Sequence, residues 1–170
     1  MLTLPVIGRR KKQPYLAIRS MLTMRQIKKQ GPLFLSEVKA FMDRRGLEAA
    51  GPAFYRTNCI GTDGQLEMEF GYFTLKTCAG AGPVRSGTMP SGRYGSVSWH
   101  GAHDRLADVT AMLTGWARET GVAWDVTDTP RGAIFAGRFE IYHDNPSGEQ
   151  GSDKRFTEVA IKVRPTTQDE

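Results

Sequence analysis

From Tyr15 to Met24 the side chains alternate. Tyr15, Ala17, Arg19, Met21 and Thr23 fall on one side, and Leu16, Ile18, Ser20 and Leu22 on the other, which predicts a strand. After Gly31-Pro32 the apolar residues Leu33, Phe34, Val38, Phe41 and Met42 recur at helical spacing, and Gly46 marks the expected stop. Gly51-Pro52 opens a strand running through Phe54 to Ile60, Gly61-Thr62-Asp63-Gly64 is a turn, and Gln65 to Leu75 is a further strand. In that strand Leu66, Met68 and Phe70 share one face while Gln65, Glu67 and Glu69 share the other. One face should therefore pack on a core and the other meet water or a cleft. Ala79 to Ser91 is a Gly/Pro-rich connection, after which the pattern restarts. Gly92 to His100 reads as a strand, and His103 to Thr120 as a helix with Leu106, Val109, Thr110, Leu113, Trp116 and Ala117 on one stripe, stopped at Gly121. Gly132 to His143 is a strand, Asn145 to Asp153 a polar turn, and Arg155 to Arg164 the last strand.

The order strand-helix-strand-strand thus occurs twice, in halves of about 14–78 and 90–165, between a basic segment (1–13) and a polar tail (166–170). One amphipathic helix and three strands bury a core poorly alone, so the halves are expected to pair. The fold class is α+β, with the two units about a pseudo-twofold axis forming one antiparallel sheet. Both helices are expected on one face and a ligand groove on the other.

Composition changes little in this picture. The 170 residues suit a single domain, and 39% hydrophobic with 24% charged residues is ordinary for a globular chain. No apolar run approaches the roughly 20 residues that span a bilayer. The apolar Met1 to Ile7 precedes Arg9-Arg10-Lys11-Lys12, the reverse of a secretory signal, so a cytoplasmic location is expected. Cys59 and Cys78 lack a CxxC partner and an activating neighbour, which argues for free thiols. The net charge of +5 collects in Arg9–Lys12 and in Arg25, Lys28 and Lys29 without any nucleic-acid motif, which reads as a basic tail and a solvated helix start. His100, His103 and His143 have no ligand spacing, so no metal is expected even if the first two meet at a turn. No GxSxG, P-loop or dinucleotide fingerprint is present, and no cofactor is expected.

The polar chemistry centres on Glu140. Alternation puts Arg138, Glu140 and Tyr142 on one face of their strand and Phe139 and Ile141 on the other. If the apolar pair packs under the helices, Glu140 and Tyr142 face the groove. A carboxylate there can attract a cationic or donor-bearing ligand among aromatic faces, or act as a general acid or base. The competing reading is a structural ion pair with Arg138 or another nearby basic residue. Trp116, on the apolar stripe, reads as core, and Trp124 as packing on a helix end. Trp99, before a glycine turn, is placed at the groove mouth.

Four stretches taken in order carry a family resemblance: Gly51-Pro52-Ala53-Phe54-Tyr55-Arg56, Leu66-Glu67-Met68-Glu69-Phe70-Gly71-Tyr72, Pro90-Ser91-Gly92-Arg93-Tyr94-Gly95 and Phe139-Glu140-Ile141-Tyr142-His143-Asp144-Asn145-Pro146. With Thr157 to Ile161 and the duplicated topology, the chain resembles the GyrI-like family of small-molecule-binding, effector-binding domains over roughly residues 14–165. It departs from the usual His-x-Gly-Pro-Tyr, reading Trp99-His100-Gly101-Ala102-His103 instead, so no ligand transfers from a relative. About a dozen residues precede the first strand, too few for a helix-turn-helix, which implies a stand-alone member. The resemblance implies a pocket glutamate at Glu140, a pocket hydroxyl at Tyr55, and Glu69 at a further family position that a solvated glutamate fits equally well. It implies a domain that binds a hydrophobic or cationic aromatic molecule between Tyr55, Tyr94, Trp99 and Tyr142, in the manner of multidrug binding by SHS2 repeats. The alternative it implies is a cyclopropanoid hydrolase, giving resistance to such genotoxins, in which Glu140 and Tyr55 are catalytic and activate water against a strained ring. A protein partner such as DNA gyrase is suggested by the family name alone.

Overall fold

The computed structural model describes residues 1–143 and 156–169. The polar turn expected at Asn145 to Asp153 and the start of the last strand at Arg155 lie outside the described residues. The alternating stretch at Tyr15 is strand β2 (Gln13–Leu22), preceded by β1 (Val6–Arg10) and followed by helix α1 (Met24–Arg44), β3 (Ala49–Gly61) and β4 (Leu66–Thr74). The second half runs β5 (Val84–Met89), β6 (Gly92–Trp99), a 3-10 turn at His103–Arg105, α2 (Leu106–Thr120), β7 (Val126–Thr129), β8 (Gly132–Phe135), β9 (Arg138–His143) and β10 (Phe156–Lys162). No helix among the described residues is long and apolar enough to cross a membrane.

Helix α1 begins at Met24, well before Gly31-Pro32, and carries Pro32 in its interior. An internal proline removes one helical hydrogen bond and costs about 3 kcal/mol. Two features offset this. Thr23 and Gln26 form a reciprocal capping box, the Gln26 amide donating to Thr23 Oγ1 at 3.3 Å and the Thr23 amide to Gln26 Oε1 at 2.9 Å. Ile27, Phe34 and Leu35 also pack on the buried cluster Leu22, Leu66, Met68 and Phe70. Helix α2 ends where Gly121 takes a left-handed conformation (φ 74°), so the chain can turn and the Val122 amide can reach back to the Ala117 carbonyl.

The strands form one sheet in the order β1-β6-β10-β9-β3-β4-β2-β5, with β7 and β8 attached beyond β3. The register is palindromic about its midline. On one side Ile18, Phe70 and Tyr55 stand opposite one another across β2, β4 and β3; on the other Val97, Val159 and Glu140 do so across β6, β10 and β9. Tyr55 opposite Glu140 joins the two sides, so the pseudo-twofold axis passes through that pair. The expected single strand 132–143 is broken at Ala136-Gly137, between β8 and β9. There the Ala136 carbonyl accepts from Arg56 and the Gly137 carbonyl from the Lys162 amide. A Cβ on Gly137 would lie 2.7 Å from the Tyr94 hydroxyl, so only glycine fits.

The basic segment is not a tail: β1 pairs with β6, and β5, inside the expected connection 79–91, pairs with β2. Each edge strand joins the next strand in sequence through two residues, Lys11-Lys12 and Pro90-Ser91, yet those strands sit at opposite ends of the sheet. A two-residue link spans at most about 11 Å, whereas the six inter-strand steps between linked strands would cover roughly 29 Å in a flat sheet. The sheet must therefore roll until its edges approach. Its inner face is filled by Tyr15, Ala17, Phe54, Phe73, Met89, Tyr94, Phe139, Ile141 and Ala160. The outer face carries both helices: Val38, Phe41 and Met42 of α1 meet Leu16 and Ile18, while Leu106, Val109 and Leu113 of α2 meet Val97, Val159 and Ile161. The face opposite the helices, where a groove was expected, is thus packed with side chains.

Two polar networks are set into the inner face. Arg56 donates to the Tyr15 hydroxyl (2.8 Å) and to the Thr88 and Ala136 carbonyls (3.2 and 3.0 Å), with its Nε 3.8 Å from Glu69. Glu69 accepts from Tyr15 (3.0 Å) and Asn58 (2.8 Å). At the twofold-related place Glu158 meets Arg10, and His143 lies 3.3 Å from its other oxygen. Removing one partner of a buried ion pair strands the other. Arg56→Met is therefore expected to lower unfolding free energy by about 3 kcal/mol, measured by urea denaturation. Burial pushes the Tyr94 phenol up to about 12, and burial followed by Glu69 raises Tyr15 further. A folded-state pKa above the ordinary phenol value gives stability that is complete below pH ~10 and is lost as pH rises through the folded value. Melting temperature should hold to pH ~10 and fall steeply toward pH 12; a flat profile there would contradict this packing.

Candidate functional site

Seven residues stand in line across the helix-bearing face: Val97, Val159, Glu140, Tyr55, Phe70, Ile18 and Val84. Glu140 is the one charged member, and it lies at the centre. Alternation within β9 orients it as expected, with Tyr142 beside it and Phe139 and Ile141 turned to the inner face. The surface it shares is nevertheless the one under the helices.

Around this carboxylate an aromatic row connects the two helices. Phe34 of α1 packs on Phe70 (centroids 5.3 Å), Phe70 meets the edge of Tyr55 (4.7 Å), Tyr55 meets Tyr142 edge-on (5.0 Å), and Tyr142 lies 5.3 Å from the ring of His103, just before α2. The Tyr142 hydroxyl donates to Glu140 Oε2 at 2.7 Å. Burial raises the Tyr142 phenol pKa strongly, and the Glu140 charge adds to it, so the hydroxyl stays a donor. Burial and then Glu140 push Tyr55 up to about 12. Tyr55 lies directly against α1: a Cβ on Gly31 would come within 2.4 Å of its hydroxyl oxygen. Gly31, next to the internal proline, is therefore a packing requirement of this site.

The ion pair weighed against function does not form among the described residues. Arg138 shares the face of Glu140, but its guanidinium stacks over Phe135 at 4.8 Å, and Glu140 has Tyr142 as its partner. Burial lowers the Arg138 pKa, with Glu140 opposing that shift.

The remaining sequence-derived residues divide. Tyr55 and Tyr142 stand beside Glu140. Tyr94 is buried in the inner layer with its hydroxyl donating to the Pro90 carbonyl (2.8 Å), and Glu69 is committed to the Arg56 network on that same inner face. Both are turned away because they alternate with residues of the outer row. Trp99 is on the outer face, but its indole donates to the Ala102 carbonyl (2.9 Å) and folds over Gly101 toward the α2 cluster. His100 stacks near Phe156, at 5.1 Å, while His103 lies against Tyr142. Phe34, Phe70 and His103 were not singled out for the site. Phe34 and Phe70 were readable as core, and the missing step was that core and site share one face. Two surface depressions, of about 520 and 280 Å³, include neither Glu140 nor Tyr55. Glu140 itself is half-buried.

No family model and no curated protein matches the chain by sequence. Among solved structures, the C-terminal domain of EcmrR superposes with a TM-score of 0.69 at 16% identity, covering 96% of this chain and 98% of that one. EcmrR in its DNA complex gives 0.71 at 15% identity, and there the chain spans 58% of the EcmrR length and 96% of its own. SAV2435, solved bound to tetraphenylphosphonium, gives 0.61 at 14% identity over 99% of this chain and 100% of that one. A structure described as a hydrolase from Listeria innocua gives 0.54 at 10% identity over 94% and 91%. At these identities the likeness is one of fold: the chain has the architecture of the EcmrR C-terminal domain and of SAV2435.

Proposed function

We propose that the chain is a GyrI-like domain that binds a hydrophobic, cationic aromatic small molecule at Glu140, between α1 and α2. The observation that carries this reading is a half-buried carboxylate at the centre of an apolar row, held by one phenol and without a described cation. A hydrogen bond to a charged group contributes about 1.5–3 kcal/mol, while desolvating a carboxylate costs several. A delocalised cation against Tyr55, Tyr142 and His103 would supply a counter-charge, and the aromatic faces would add cation–π attraction. Tetraphenylphosphonium in a neighbour of the same fold makes it the natural probe. Calorimetric titration with tetraphenylphosphonium should show saturable binding. Glu140→Gln, with an unchanged melting temperature, should weaken it by about tenfold or more. Equal affinity of wild type and Glu140→Gln would sink the proposal.

A second reading is a cyclopropanoid hydrolase, supported by the carboxylate–phenol pair and by the neighbour described as a hydrolase. Here Tyr142, which bonds to Glu140, is the better placed hydroxyl, whereas Tyr55 stands opposite Glu140 across the strands with its hydroxyl against α1. On this reading, mass spectrometry of a cyclopropane-containing genotoxin should show a gain of one water with wild type and none with Glu140→Gln. An unchanged compound recovered from wild type refutes catalysis and leaves the binding proposal to its own test.

A further inference from the structure

Away from Glu140, the depression of about 520 Å³ lies where β1, the start of β6 and the end of β10 meet. It is lined by Arg9, Arg10, Lys11, Arg93 and Lys162, with Asp169 as its acidic member. Such a volume suits a small molecule. Arg10 is tied to Glu158, and Lys162 to Asp125 at 2.8 Å. Lys11 has no partner among the described residues. The other two guanidiniums converge on a single oxyanion, the carboxylate of Asp169. Arg9 Nη2 lies 2.6 Å from Oδ1, and Arg93 Nη2 and Nε lie 3.2 and 3.3 Å from Oδ2. That carboxylate is itself presented by a turn, accepting from the Thr166 amide at 2.9 Å and hydroxyl at 3.0 Å. The Thr166 donors hold its pKa down at about 2, so it is an anion at any ordinary pH.

The fold does not require these charges. By the register that relates the two halves, Arg9 corresponds to Thr88, Arg93 to Pro14 and Lys162 to Phe73. The same backbone arrangement is thus built with uncharged residues at those three positions in the other half. Two arginines that grip both oxygens of a carboxylate are pre-arranged for the geometry of a phosphate. The surplus of cations around them favours a ligand with several negative charges.

We infer that this depression is a binding site for a phosphate-bearing small molecule carrying several negative charges, and that Asp169 occupies the Arg9–Arg93 position as an internal stand-in until such a ligand displaces it. The test is calorimetric titration of the whole chain with tripolyphosphate at low salt. Wild type should bind it. Asp169→Asn, which removes the competing charge, should bind more tightly by about threefold or more. Arg9→Gln combined with Arg93→Gln should bind about tenfold more weakly. Lys11→Gln, whose side chain makes no described contact, should weaken binding severalfold at an unchanged melting temperature, which separates loss of the site from loss of the fold. Absence of binding by both wild type and Asp169→Asn at millimolar tripolyphosphate would overturn the inference. So would equal affinity of wild type and the double arginine variant.

Discussion

Each half of this sheet is completed by a strand that belongs in sequence to the other half. β1 leads into β2 but pairs with β6, and β5 leads into β6 but pairs with β2, each across a link of two residues. So short a tether requires a sheet rolled until its edges approach, around an inner apolar layer that contains Tyr15, Phe54, Tyr94 and Phe139. Neither half can assemble its own edge, so folding must bring both together. Such non-local pairing slows folding relative to local hairpins. The site at the midline inherits its rigidity from this closure, because β9 and β3 are held from both sides.

With the inner face filled, the outer face must do two things. It seats both helices through Leu16, Ile18, Val97 and Val159, and it holds a carboxylate between them. The helices grip the flanks of the sheet and leave the midline to aromatic rings that touch edge to face. A row of five rings from Phe34 to His103 fills that midline and joins α1 to the turn before α2. Pro32 lies in α1 beside the glycine that contacts Tyr55, so the helix lacks a backbone hydrogen bond next to the site.

Much of this was legible in the residue pattern. The duplicated strand-helix-strand-strand order, the stop at Gly121 and the shared face of Glu140 and Tyr142 follow from alternation and spacing. The three strands that were missed, β1, β5 and β7, bury little: β5 has only Val84 and Met89 inside, and β1 is almost wholly exposed, so their patterns carry no apolar face. The early start of α1 was written in Thr23 and Gln26, but Pro32 masked it. The facing of Glu140 relative to the helices was not legible. In a rolled sheet both faces of the central strands are buried, and Phe139 and Ile141 look the same whether a helix or the far wall covers them. The same ambiguity hides that Tyr94 and Glu69 lie on the inner face.

The palindromic register has a consequence for orientation. At the axis the backbone presents the same pairing from either side, so the two halves differ there through their side chains. The side chains break that symmetry: Glu140 faces Tyr55, and Val159 stands where the other half has Phe70. On the proposed reading, a guest with its positive charge at one end would be oriented by that carboxylate, and one whose charge is spread over its surface would offer it no end to select. Such a site would sort molecules by where their charge sits as well as by their outline.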